Sequence, residues 1–393
     1  MIRAWRFIVD HYLLLPVGGG VALVWANTYA VSYFRIVQTL AFPINDIGMA
    51  FVLAYLAQEL VEAALPGGSL HPFRRALLPI VAGIGGTVGA ALVYLGYLQT
   101  GDEQILAPGW PIASTADLVV AVATSRAIFG RSPVVTEGLL IALTSEVIGL
   151  AAISRHRFIT DVHPFAVVLI GVAAGMAMIF RRLGVTTTWL YVGGAGTVSW
   201  LGCYWAGIQP VLALLPIVPF LRHAPRELMS FADDAPSHRS PTHFESSFEI
   251  PVQLVVLLFA FVNFGIGLRG FGTGTWAVMA ASLIGRPLGI VAAIAVAQLV
   301  GQGLPVHMDW KIAAVTALAA APTLTFGVLI AVSVFPVGPL LVETKLGAVG
   351  TIVGVPAALG AARLLRVGRF ESDTSSGGFR TVGPESATEP TFR

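Results

Sequence analysis

Long apolar stretches dominate this chain, and short polar breaks separate them. The stretches fall at 12–33, 44–65, 76–98, 110–129, 134–153, 164–179, 186–200 and 205–221. After a polar interval they resume at 250–268, 276–300, 312–334 and 340–365. Each is near the ~20 residues an α-helix needs to cross a bilayer, so about twelve membrane spans are predicted. Barrel strands run for about ten residues with strict alternation; these runs are longer and continuous. The predicted class is an all-α integral membrane protein.

The polar intervals divide the chain. Residues 1–221 carry spans one to eight and 248–366 carry spans nine to twelve, with 222–247 between them reading as a solvated cytoplasmic loop. The Ser/Thr/Gly/Pro-rich stretch 367–393 reads as a disordered cytoplasmic tail. The opening MIRAWRFIVDHYLLLP has no small-residue cleavage site and reads as an amphipathic lead-in to a retained span. Arginines cluster on one side, at Arg3, Arg6, Arg74, Arg75, Arg131, Arg181, Arg182, Arg222, Arg363 and Arg366; few basic residues, among them Arg35 and Arg269, fall on the other. By the positive-inside bias both termini face the cytoplasm, across a bacterial inner membrane.

Composition narrows this further. The chain is 56% hydrophobic and 11% charged, with a mean hydropathy of +0.81. Soluble domains carry about 25% charged residues, so a soluble globule is excluded, and the apolar content excludes intrinsic disorder. A lone cysteine, Cys203, rules out a disulfide framework and a cysteine metal site. Net charge is +2 from 23 basic and 21 acidic residues, so nothing points to nucleic acid. There is no phosphate-binding Gly-rich loop and no paired-Cys motif, and no cofactor is expected.

Candidate chemistry lies in charges placed inside spans, which are rare and mark function by default. These are Glu59, Asp117, Glu137, Glu146 and Arg286, with Asp46 at a span start and Glu62 one turn from Glu59. Asp117 ends the run Pro-Ile-Ala-Ser-Thr-Ala-Asp, whose proline and hydroxyls suit a broken helix. Pro322-Thr323-Leu324-Thr325-Phe326-Gly327 repeats that composition in the second half. Paired interruptions in two halves point to a transporter's central site. Breaks are therefore predicted at 113–117 and 322–327, crossing near mid-membrane beside Asp117 and Arg286. Glu146, with Thr144 and Ser145 before it, is a lone acid in an apolar span and a candidate proton carrier; pairing with Arg286 is its alternative state. Glu137, nearer the span end, is expected to snorkel.

Several strings resemble the NhaA-type sodium/proton antiporter family. They are Pro-Ile-Asn-Asp-Ile-Gly-Met-Ala at 43–50 leading to Gln58-Glu59-Leu60, then 76–89, then Gly109-Trp110 through Asp117. Leu-Phe-Ala-Phe-Val-Asn at 258–263 follows, then Leu-Ile-Gly-Arg-Pro-Leu-Gly-Ile at 283–290 and Lys345-Leu346-Gly347. The resemblance implies an inverted-repeat fold with two broken, crossing helices. It implies that Asp117 is the acid beside the crossing, that Glu59 is the acid of the cytoplasmic funnel, and that Arg286 stands for the family's lysine. It also implies a monovalent cation and protons as partners.

The departures are informative. Around the position where the family carries an Asp-Asp pair, this chain has Thr144-Ser145-Glu146-Val147-Ile148, and no register gives two acids. The family's threonine before the crossing acid is Ala116, with Thr115 one position off. Its histidine in span eight is Gln209, and the connection before Pro43 is too short for the β-hairpin through which family members dimerise. The expected function is a sodium- or lithium-class cation/proton antiporter, not an enzyme, with one carboxylate at its site. Glu146, Asp117, Ser145 and Thr115 are the candidate cation ligands, with Thr323 and Thr325 on the second broken helix. The alternatives are a non-transporting subunit that associates with other membrane proteins, and a carrier that grips an organic carboxylate with Arg286. Any homodimer is expected to use a surface other than a hairpin.

Overall fold

The computed structural model describes residues 14–101, 103–130, 132–157, 163–221, 243–305 and 307–371, which are helical throughout their secondary structure. The lead-in at 1–13, most of the 222–247 loop and the tail beyond 371 lie outside the described residues. The helices are α1 (Leu14–Thr28), α2 (Ala30–Ala64), α3 (Arg74–Gly101), α4 (Gln104–Ser114), α5 (Leu118–Phe129) and α6 (Pro133–Arg157). There follow α7 (Val167–Arg182), α8 (Thr197–Trp205), α9 (His243–Asn263), α10 (Thr273–Leu299), α11 (Trp310–Ala319), α12 (Leu324–Val334) and α13 (Pro339–Leu365). Among the described residues, α2, α3, α6, α10 and α13 each contain a stretch long and apolar enough to cross a membrane. The pairs α4/α5 and α11/α12 pass the same test as single spans bent by 45° and 47°.

The order long helix, bent pair, long helix thus occurs twice, as α3–α6 and as α10–α13. The two units run in opposite directions, because α3 and α10 pack antiparallel along four glycines. Gly85 lies against Gly289, and Gly89 against both Gly285 and Gly289; a Cβ on Gly289 would stand 2.2 Å from the Gly85 carbonyl oxygen. Small residues let membrane helices approach to backbone contact, where dispersion rather than hydrophobicity holds them. An inverted repeat follows from that contact.

Four expectations about the backbone need correcting. The stretch before Pro43 is not a loop: Ala30–Phe42 is helix and continues through a π-helical turn at Pro43–Gly48 into the second span. Span eight is not a regular helix. Residues 206–221 fold as turns with short 3₁₀ segments at Pro210–Leu212 and Val218–Phe220, because Pro210, Pro216 and Pro219 each remove a backbone donor. The tail does not begin at 367: Gly368–Phe370 forms a 3₁₀ turn whose Val367 and Phe370 pack with Ile128 and Phe129 at the end of α5. The loop is also shorter than expected, since the backbone is helical from His243.

Candidate functional site

Both bent pairs break where the sequence placed proline and hydroxyl residues. The first break spans 115–117; the second spans 320–323, earlier than expected, because the helix has already resumed at Leu324. The breaks touch. The Asp117 amide donates to the Pro322 carbonyl at 2.8 Å. The Thr115 and Thr323 hydroxyls are 3.1 Å apart, and the Thr323 hydroxyl donates to the Ile112 carbonyl at 2.7 Å. The Thr351 hydroxyl accepts from the Thr323 amide at 3.0 Å, and Ser282 donates to the Ala321 carbonyl at 2.7 Å. Freed backbone groups at membrane depth are thus met by hydroxyl side chains, as they must be in a medium without water.

Two buried charges complete the crossing. Asp117 is wholly buried. Its Oδ1 accepts from the Val120 amide at 3.0 Å, at the start of α5, and its Oδ2 accepts from the Thr325 amide, at the start of α12. Arg286 is wholly buried as well. Its Nη1 donates to the Ala320 and Ala321 carbonyls at 3.2 and 2.8 Å, with Pro322 at 3.4 Å, where α11 ends. Its Nη2 donates to the Ala113 and Thr115 carbonyls, where α4 ends. One acid therefore caps both half-helix N-termini and one base caps both C-termini. A π-helical turn at Ala281–Gly285 sits directly before Arg286, and such turns inside α-helices are frequent at functional sites.

A helix end carries roughly half an elementary charge, positive at the N-terminus and negative at the C-terminus. Two N-termini balance one carboxylate, and two C-termini balance one guanidinium. Asp117 and Arg286 are thereby neutralised in place. That removes the carboxylate-gripping reading: both terminal nitrogens of Arg286 are held by backbone carbonyls, and only Nε has no partner.

Glu146 is different. It is wholly buried, and neither carboxylate oxygen has a hydrogen-bond partner in the protein. It lies within electrostatic range of both Asp117 and Arg286, yet forms no salt bridge among the described residues. Its neighbours are engaged elsewhere: the Ser145 hydroxyl donates to the Gly83 carbonyl at 3.0 Å, and that of Thr144 to the Leu140 carbonyl at 2.8 Å. The Thr325 hydroxyl at the crossing is buried without a partner.

The remaining candidates sit apart. Glu59 on α2 pairs with Arg126 on α5 at 2.9 Å. Gln209 is buried, and its backbone amide donates to the Ser154 hydroxyl at 3.0 Å. Glu137 does not snorkel: it is 3% exposed and stands 2.8 Å from His307 Nε2. Sequence reading missed that pair because the histidine lies on a distant connection between α10 and α11. It also missed Thr351 and Ser282 as supports of the second break, since each is one hydroxyl among many in apolar spans.

The Na+/H+ antiporter 1 family model matches residues 14–364. This chain belongs to the Na+/H+ antiporter 1 family. It is 35% identical over 374 residues to the Na(+)/H(+) antiporter NhaA of Desulfitobacterium hafniense, covering 92% of this chain and 96% of that protein. It is 33% identical over 372 residues to the NhaA of Geobacter metallireducens, covering 91% and 97%. In fold it is similar to the sodium proton antiporter MjNhaP1 from Methanocaldococcus jannaschii. That likeness has a TM-score of 0.60 and 12% identity over 91% of this chain and 92% of that one, and it bears on architecture alone.

Proposed function

We propose that this chain exchanges a sodium- or lithium-class cation for a proton at a single carboxylate, Glu146. The observation that carries this reading is the unpartnered Glu146 carboxylate beside two charges already neutralised by helix ends. A buried carboxylate without hydrogen bonds is costly as an anion. Binding either a proton or a monovalent cation removes that cost, and the two compete for the same oxygens. Arg286 stays charged in a protein and cannot carry the proton. Asp117 spends both oxygens on backbone amides and acts as a fixed cap. Thr115 and Ser145, whose hydroxyls donate to carbonyls, can offer a cation only their remaining lone pairs.

We place the protein in a bacterial inner membrane with both termini cytoplasmic, on the arginine bias. The helical Ala30–Phe42 segment stands where a hairpin would be needed for hairpin dimerisation, so a dimer, if formed, uses another surface. The test is cation-induced proton movement in everted membrane vesicles. Addition of Na+ or Li+ should discharge an imposed pH gradient with wild-type protein and leave it unchanged with Glu146→Gln. Full response from Glu146→Gln overturns the proposal. No response from wild type under several cations and pH values favours the non-transporting subunit.

A further inference from the structure

Away from the crossing, a cavity of about 720 Å³ opens where α3 and α6 begin and α10 ends. Its wall includes Arg74 and Arg75 at the start of α3, Glu137 of α6, and Gln302, Leu304 and His307 of the α10–α11 connection. This volume is that of an ordinary small-molecule site. Glu137 is 3% exposed, and only its Oε1 is bound, by His307; Oε2 is buried with no hydrogen-bond partner in the protein. A buried carboxylate oxygen left without a donor costs the full desolvation of that group. Arg74 and Arg75 are exposed, and neither forms a salt bridge among the described residues. The N-terminal end of the long helix α3 adds positive potential beside them. The cavity thus offers one acceptor for an ammonium group and a cationic pair for an anion.

We propose that this cavity binds the phosphoethanolamine headgroup of a membrane phospholipid, with its phosphate on Arg74 and Arg75 and its ammonium on Glu137 Oε2. Arginine suits phosphate through its planar fork of donors, and a primary ammonium supplies the N–H that Oε2 lacks. A choline headgroup has no N–H to give, and a glycerol headgroup has no cation. The surroundings favour a lipid over a free solute. Leu299 and Val300, 86% and 81% exposed, directly precede cavity-lining Gly301. Val81, Ile84, Val88 and Leu92 form an exposed apolar stripe along one face of α3. Acyl chains have a track leading away from the headgroup pocket.

The site is independent of the transport reading, and so is its test. The full chain is reconstituted into nanodiscs of mixed phosphatidylethanolamine, phosphatidylcholine and phosphatidylglycerol, and the lipids it retains on release are counted by native mass spectrometry. Phosphatidylethanolamine should be retained over either competitor by about tenfold, the worth of one charge-assisted hydrogen bond. Glu137→Gln should abolish the preference for ethanolamine over choline. The double variant Arg74→Gln/Arg75→Gln, which changes only exposed side chains, should abolish retention and keeps the test alive if Glu137→Gln does not fold. Equal retention of the three lipids by the wild type, or unchanged retention by the arginine variant, overturns the proposal. So does binding of soluble phosphoethanolamine by delipidated protein with no lipid preference, which assigns the cavity to a solute.

Discussion

Ser145 and Glu146 are consecutive on α6, yet their surroundings differ in kind. The Ser145 hydroxyl donates to the carbonyl of Gly83 on α3, whereas the Glu146 carboxylate has no protein donor. A second acid at 145 therefore has no ready place: a carboxylate there would confront the Gly83 carbonyl oxygen inside an apolar contact. Ser145→Asp is expected to lose several kcal/mol of stability, as an unpaired buried charge does, and to show no gain of charge movement. A thermal midpoint in detergent equal to that of wild type would contradict this. At this scale the sequence was most legible where a residue is costly in any apolar setting. Asp117, Glu146 and Arg286 stand out as charges within apolar spans from the order of residues alone. Partners were not legible, because they depend on which spans meet. Glu137 finds His307, and Thr323 finds Thr351, only after the chain has folded.

At the scale of elements, proline and hydroxyl clusters announced both broken helices, because a freed backbone group in lipid needs a side chain to meet it. The exact breaks were less legible. The second moved toward Ala320, where Arg286 and Ser282 bind the exposed carbonyls and so decide where the helix ends. Span eight misled for the opposite reason: its apolar composition persists through three prolines that forbid a regular helix. The α3–α10 contact was invisible as a contact, although its glycines were countable. It predicts a sharp contrast. Gly289→Val should force α3 and α10 apart and displace Arg286 on the same helix, with a loss of at least the 1–3 kcal/mol typical of overpacking and loss of exchange. Gly96→Ala on α3, where a Cβ meets nothing within 4 Å, should leave both unchanged. Melting curves and vesicle assays on the two variants decide it; equal behaviour would mean that the close helix contact does not hold the crossing together.

For the whole molecule, the inverted repeat turns two ordinary spans into one electrostatic device. Opposite directions bring two helix N-termini together on one side of the crossing and two C-termini on the other, so one acid and one base suffice to balance four ends. Under the proposed mechanism those two charges belong to the architecture and stay fixed through the cycle. In the proposed exchange, what changes is the occupant of Glu146. One carboxylate holds one proton or one monovalent cation, so each turn moves one charge inward and one outward. The exchange is predicted to be electroneutral. In proteoliposomes with an outward Na+ gradient, the initial rate of proton movement should be the same with and without a potassium–valinomycin diffusion potential, and a potential-sensitive dye should stay flat. A rate that follows the imposed potential, or a dye signal that tracks turnover, would require a second titrating group. Asp117 would then be the group to suspect, since it is the other buried acid at the crossing, and protonating it would leave two helix N-termini without their anion.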